Sequence, residues 1–169
     1  MMNVRRGVLI CLLIVASAGC DRVTKHYAMS ALSDAPPNSY LSDTVRVQYV
    51  ENPGAFLGVG STWHPSTRAI LFQLCNGLFL IAAALLATRL RFSRIAMVGL
   101  VLFLAGAASN LIDRMVLGTV VDFLNVGIGP IRTGVFNVAD VAIMVGIAIL
   151  LLESFRATKD AKTHEGREG

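Results

Sequence analysis

The sequence predicts an all-α membrane protein, four transmembrane helices with a small extracytoplasmic β-sheet element. Three observations carry that reading. Of 169 residues, 54% are hydrophobic and only 15% charged, against about 45–50% and 25% in a soluble globular domain. The charges cluster: Ala69–Thr88, Ile95–Ile112 and Thr133–Leu152, the last interrupted only by Asp140, each have about the 20 residues that a helix needs to cross about 30 Å of hydrocarbon. The basic residues fall at alternate ends of these segments. Arg5 and Arg6, then Arg89, Arg91 and Arg94, then Arg156, Lys159, Lys162 and Arg167 share one side if four helices alternate, and the positive-inside rule makes that side the cytoplasm.

The first helix is the least obvious of the four. Gly7–Cys20 is apolar but short, and it reaches spanning length by continuing through a polar stretch to about Ala31. Its Ser17-Ala18-Gly19-Cys20 imitates a lipoprotein cleavage site, yet three further spans follow, so the segment is read as a retained helix. Asp21 and Lys25 sit at its outer end, four apart on one helical face. An outer-face loop of about 32–67 follows. Ala35-Pro36-Pro37-Asn38 breaks the helix, and Val45–Val50 alternates apolar residues with Arg46 and Gln48, as a half-buried strand does. Asn52-Pro53-Gly54 is a turn, and Trp63 suits the membrane interface. Residues 1–156 thus form a single four-helix membrane domain, with both termini inside, and 157–169 a polar, disordered cytoplasmic tail.

Composition also excludes classes. The net charge is +4, but no basic run is interleaved with aromatics, so no nucleic-acid partner is expected. His26, His64 and His164 lack metal-ligand spacing, so neither a metal nor a cofactor is expected. Cys11, Cys20 and Cys75 lie in apolar segments and read as small core residues rather than a disulfide framework.

Ionisable groups at membrane depth are costly and by default functional. Here they gather at the outer end: Asp21 and Lys25 on helix one, Asn110, Asp113 and Arg114 on helix three, Asn137 and Asp140 at the start of helix four. Each has a plain alternative. Asp21 and Lys25 can be only an ion pair, Arg114 a headgroup anchor rather than the counter-ion of a buried carboxylate, Asp140 a helix cap, and Ala105–Ser109 a close-packing face of small residues. Asp122 is harder to dismiss. It stands in Val120-Val121-Asp122-Phe123-Leu124, where desolvation raises a carboxyl pKa. Gly127, Gly129, Pro130 and Gly134 let the chain fold back and bring Asp140 beside it. Two carboxylates sharing a proton can activate water against an amide. A Ser–Lys peptidase using Lys25 and a serine such as Ser109 is a weaker scheme. A small ion- or proton-coupled carrier is the alternative from another class, but the inner halves of the helices carry no ionisable side chain beyond cysteine.

The set Asp21-x-x-Thr24-Lys25, Asn52-x-Gly54-Ala55, Asn110-x-x-Asp113-Arg114, Val121-Asp122-Phe123 and Phe136-Asn137-x-Ala139-Asp140 resembles the lipoprotein signal peptidase (signal peptidase II) family over about residues 7–156. The resemblance implies an aspartic endopeptidase of the bacterial inner membrane. Its partners are membrane lipids and prolipoprotein substrates bearing a diacylglyceryl-cysteine, cut on the N-terminal side of that cysteine. It implies Asp122 and Asp140 as the catalytic dyad, with Asp21, Lys25, Asn52, Gly54, Asn110, Asp113, Arg114 and Asn137 shaping the site or binding substrate. Two departures stand out. Ser109 replaces a frequent Gly, and Phe56 follows Gly54-Ala55 at once, where many members insert a residue.

The charge clusters predict that a reporter fused at Leu90 faces the cytoplasm and one fused at Ser42 faces outward. The opposite result at either position rules out the four-span arrangement.

Overall fold

The structure, a computed structural model, describes residues 4–55, 59–90 and 92–168. Phe56 and Arg91 lie outside the described residues. The elements run α1 (Val4–Leu32), β1 (Asn38–Tyr40), β2 (Val45–Asn52), α2 (Pro65–Arg68), a π-helical segment Ala69–Cys75, α3 (Asn76–Arg89), α4 (Arg94–Leu117), β3 (Val120–Ile128), β4 (Ile131–Arg132) and α5 (Val138–Glu168). Among the described residues four helical stretches are long and apolar enough to cross a membrane: Gly7–Leu32, Pro65–Ala87, Arg94–Leu117 and Val138–Lys159. Leu12, Ile81, Leu85 and Leu151 are exposed along them, as bilayer-facing side chains are. Cys11, Cys20 and Cys75 are exposed too, so they belong to this outer surface and not, as expected, to the core. Hydrocarbon accepts a thiol as readily as packed protein does.

α4 is the central element, buried along Ala96, Gly99, Val101, Ala105, Gly106 and Ala107. Its closest neighbour is α5, and small residues set that approach. A Cβ at Gly106 would stand 2.5 Å from the carbonyl oxygen of Ala139, and one at Gly146 2.5 Å from that of Gly99. The Ala105–Ser109 stretch is thus a packing face, with Ser109 serving a second purpose described below.

The second span is not one regular helix. Pro65 starts α2 at a position where its missing N–H costs nothing, and His64 accepts from Ser66 N through Nδ1 at 3.3 Å. The wider π-helical turn then follows, which propensity does not foretell and which recurs at functional sites. The fourth helix begins at Val138, inside the charge-free gap, and runs on through 157–168, where the sequence reading expects disorder. Ala, Lys, Glu and Arg are good helix formers, and elongating an existing helix needs no new nucleus.

The strands form one antiparallel sheet of order β1-β2-β3-β4. β2 is the expected strand, extended to Asn52. β3 is not expected: its burial runs nearly unbroken from Val120 to Asn125, so the alternation that betrays a half-exposed strand is absent. Val121 and Phe123 pack on Ala28 and Leu32 at the end of α1. Gly118 makes the junction possible. Its φ of 77° closes α4 in the left-handed conformation, and the chain enters β3 two residues later.

Because the Gly106 Cβ would meet backbone rather than a movable side chain, Gly106→Ala is expected to lower the melting temperature in detergent and to reduce activity, since Ala139 belongs to the first turn of α5. Gly19→Ala, with nothing within 4 Å, is expected to melt like the parent; equal behaviour of the two variants would contradict the packing argument.

Candidate active site

Asp122 lies on β3 opposite Val50, and Asn52 opposite Val120. Asn52 is therefore Asp122's diagonal neighbour on one face of the ladder. A register shift between Val47 and Val50 sets this alignment, an irregularity of the kind that re-aims side chains beside active sites. Asn52 Nδ2 donates to Asp122 Oδ2 at 2.9 Å and to the Ala55 carbonyl at 3.1 Å, while Asn52 Oδ1 accepts from Gly54 N at 2.9 Å. The turn thus fixes the amide that holds the carboxylate.

Asn137 and Asp140 arrive from the other side. Phe136 pairs with Leu124 of β3, donating N–H to its carbonyl at 2.8 Å and accepting from its N–H at 2.9 Å, which places Asn137 beside Asp122. Asn137 caps α5: its Oδ1 accepts from Asp140 N at 2.9 Å, and Asp140 Oδ2 accepts in return from Asn137 N at 3.2 Å. This reciprocal cap resembles a capping box, with Asp at the third helical position. Asp140 is thus part of the helix cap, as its plain alternative held, with Asn137 as the cap residue itself. Asn137 Nδ2 donates to Asp122 Oδ1 at 2.7 Å. Asp140 Oδ1 accepts from Asn110 Nδ2 at 2.9 Å. One residue, Asn137, therefore joins the two carboxylates, through its side-chain amide to Asp122 and its backbone N–H to Asp140, with Asn52 and Asn110 holding them from either side.

Behind this layer lies a charged one. Lys25, 2% exposed, places Nζ 2.7 Å from Asp21 Oδ2, 2.6 Å from Asp113 Oδ2 and 2.7 Å from Asn110 Oδ1. Asp21 also accepts from Ser109 Oγ at 2.7 Å and from Ala139 N at 2.9 Å, so α1 satisfies an N–H of α5 that the helix itself leaves unpaired. Arg22 binds Asp113 Oδ1 at 2.6 Å and the Ser109 carbonyl at 2.8 Å. Lys25 Nζ is engaged by two carboxylates and an amide oxygen, and Ser109 Oγ donates to Asp21, which disfavours the Ser–Lys scheme.

Arg114 departs from expectation. Its Nη2 binds the Gly54 carbonyl at 2.6 Å and its Nη1 the Asn110 carbonyl at 3.2 Å, and its guanidinium lies 5.8 Å above the Phe72 ring. Asp113, the adjacent carboxylate, is taken by Arg22 and Lys25. Arg114 is therefore a clamp on the Asn52–Gly54 turn that forms no direct ion pair among the described residues, its charge acting on Asp140 and Asp122 only from a distance. Sequence reasoning gave no site role to Arg22 or Phe72, and took Ser109 as a packing residue or a Ser–Lys nucleophile. A hydroxyl interrupting the small-residue stretch before Asn110 was the one available signal, for Ser109.

A cavity of about 520 Å³ opens from this cluster, with Asn110, Arg114 and Asp140 at its polar end and Phe103, Ile143, Met144 and Ile147 along its apolar length. Burial pushes the Asp122 carboxyl up to about 6, helped by the charge of Asp140 and opposed by the hydrogen bonds from Asn52 and Asn137 and by Lys25. Such a group weighs on the fold when ionised. That burden is full above about pH 6 and fades as the pH falls toward the ordinary 3.8. Among the described residues no group of histidine, cysteine and carboxylate side chains could hold a metal ion.

The profile of a family described as signal peptidase (SPase) II matches residues 13–156. Similar sequences include a lipoprotein signal peptidase of Syntrophus aciditrophicus, 33% identical over 83% of this chain and 88% of that one. Another, of Bifidobacterium adolescentis, is 39% identical over 88% of this chain and 76% of that one. Two solved structures of bacterial membrane enzymes share the fold. One has a TM-score of 0.80 at 24% identity over 90% of both chains, the other 0.73 at 22% over 86% and 91%.

Lys25→Met keeps the length of the side chain and removes the cation between Asp21 and Asp113. Breaking a buried ion pair from one side costs about 3–5 kcal/mol, so the variant is expected to unfold in denaturant well before the parent. An unchanged midpoint would mean that the two carboxylates do not depend on Lys25.

Proposed function

The chain belongs to the signal peptidase II family, a multi-pass bacterial membrane protein and an aspartic peptidase that removes signal peptides from prolipoproteins, and on that premise we propose that Asp122 and Asp140 are its catalytic pair. The observation that carries the assignment is the bridge through Asn137, which ties Asp122 to Asp140, the carboxylate at the polar end of an apolar cavity. The charge balance supports it. Asp21, Asp113, Asp122 and Asp140 are gathered with three cations, Arg22, Lys25 and Arg114, so one proton retained on the pair makes the cluster neutral. An ionised partner can take a proton from water while the protonated one polarises the scissile carbonyl and then returns a proton to the leaving amine.

The remaining residues have supporting roles. Asn52, Asn110 and Asn137 orient the carboxylates. Asp21, Lys25 and Asp113 join α1 to α4 and, through Ala139, to α5. Arg114 holds the Gly54 carbonyl and so the turn at the cavity mouth. The substrate is a prolipoprotein whose cysteine carries a diacylglyceryl group, cut on the N-terminal side of that cysteine, with the apolar wall of Phe103, Ile143 and Ile147 receiving its lipid or the apolar part of its signal segment. The same reading puts the pair near the outer leaflet of the inner membrane and both termini in the cytoplasm, with residues 1–156 as one membrane domain and 157–169 as its cytoplasmic extension. The carrier reading fits less well, because Asp122 sits on an extramembrane strand and the inner portions of the spans remain apolar.

Asp122→Asn or Asp140→Asn is expected to reduce cleavage of a diacylglyceryl-modified precursor peptide by about 10²–10⁴-fold, with the double variant scarcely worse, because the two groups act as a unit. Near-normal cleavage by either folded variant would refute the pairing. The pH profile of the parent is expected to be bell-shaped, with one limb near pH 6 where Asp122 titrates, both limbs belonging to the pair. A flat profile between pH 5 and 8 would contradict this.

A further inference from the structure

The second span is flanked by two grooves that end differently. One is the cavity that reaches Asp140. The other, of about 680 Å³, lies between this span and α4 along Gly77, Leu78, Ile81, Ala84 and Leu104, and it ends outward at Ala69 and Gln73. Those same two residues wall a smaller cavity of about 240 Å³, whose other sides include Arg68, Arg114, Pro53 and Phe72. An apolar channel of ligand size thus leads into a pocket with two guanidinium-bearing walls.

Of the two charges there, that of Arg68 is uncommitted. Arg68 donates from Nη1 only to the Ser61 carbonyl, at 3.4 Å, and among the described residues it forms no ion pair with a carboxylate. Arg114 Nε is buried without a hydrogen-bond partner. Gln73 Nε2 is committed to the Arg114 carbonyl at 3.0 Å, which ties the π-helical segment to α4 at the point where groove and pocket meet. Trp63, stacked on Phe72 at 5.9 Å, marks the interfacial level where phosphates of lipids lie.

We propose that this groove and pocket together bind one anionic phospholipid, its phosphate between Arg68 and Arg114 and an acyl chain along the face of Leu78, Ile81 and Leu104. Guanidinium groups match phosphate geometry and are less hydrated than ammonium. The diacylglyceryl-cysteine of the substrate has no phosphate, so the cationic pocket selects a different lipid from the one in the groove that reaches Asp140. The inference rests on the membrane placement and stands apart from the peptidase assignment. Its consequence for the neighbouring site runs through Arg114, which lines both cavities and grips the Gly54 carbonyl.

The test uses the full chain purified in a nonionic detergent, with retention of added phosphatidylglycerol or phosphatidylcholine read by native mass spectrometry and melting followed in parallel. The parent is expected to retain phosphatidylglycerol at least about tenfold more tightly, because the choline cation of phosphatidylcholine would stand beside two guanidinium groups. Arg68→Gln is expected to lose that preference, and Ala84→Phe, which fills the groove, to weaken retention of both lipids. Inorganic phosphate alone is expected to raise the melting temperature less than phosphatidylglycerol. Equal retention of both lipids by the parent overturns the proposal, as does an undiminished preference in Arg68→Gln. A shift from inorganic phosphate as large as that from the lipid also overturns it, leaving only a free-anion pocket. Should Arg68→Gln fail to fold, the comparison of the two lipids on the parent still decides.

Discussion

A lysine ammonium taken out of water must be matched by charge and hydrogen bonds within reach, and the matching of Lys25 is what the rest of the outer end depends on. Its Nζ is met by Asp21 from its own helix and by Asp113 and Asn110 from α4. Asp21 in turn accepts from Ala139 at the start of α5. One cation therefore fixes the relative height of three helices. Packing alone would not do so in lipid, where an apolar helix face gains little by choosing one neighbour over another. The small residues of α4 and α5 bring the backbones close, and the polar cluster stops them sliding.

This constraint reaches the sheet by a second route. α4 ends at Gly118, β3 begins at Val120, and Val121 and Phe123 rest on Ala28 and Leu32 of the helix that carries Lys25. Asp122, between those two apolar residues, must then point to the opposite face of the strand, where Asn52 and Asn137 meet it. The carboxylate owes its buried position to the hydrophobic packing of its neighbours. With Val121 and Phe123 packed on either side of it, Asp122 has nowhere to go but the site.

Much of this was legible in the sequence, and the parts that were not have physical reasons. The spans were readable because charges are excluded from hydrocarbon over lengths that no local preference can hide. The convergence of Asp21, Lys25, Asn110, Asp113, Asn137 and Asp140 followed from their places at the outer ends of those spans. β3 was not readable as a strand, because burial on both faces erases its alternation. The π-helical turn has no compositional mark. Charge alone leaves Arg114 as a headgroup anchor or a carboxylate's counter-ion, whereas its guanidinium binds the carbonyls of Gly54 and Asn110, a choice that only the folded turn offers. Ser109 read as a packing residue or a nucleophile, because nothing local in the sequence shows that its hydroxyl donates to Asp21 on another helix.

The arrangement of the amides bears on how such a pair can work. Both oxygens of Asp122 and both of Asp140 accept from neutral N–H donors of asparagine side chains or backbone, while the ammonium of Lys25 stops one residue short, at Asn110 Oδ1. A cation bonded directly to either carboxylate would favour its ionised form strongly and oppose the uptake of a proton. Set behind an amide, the same charge still strengthens the donation from Asn110 Nδ2 to Asp140, since hydrogen bonds in a chain polarise one another. The layer of asparagines thus gives the carboxylates fixed positions without fixing their charge, and a pair that is to exchange protons with water and substrate needs both.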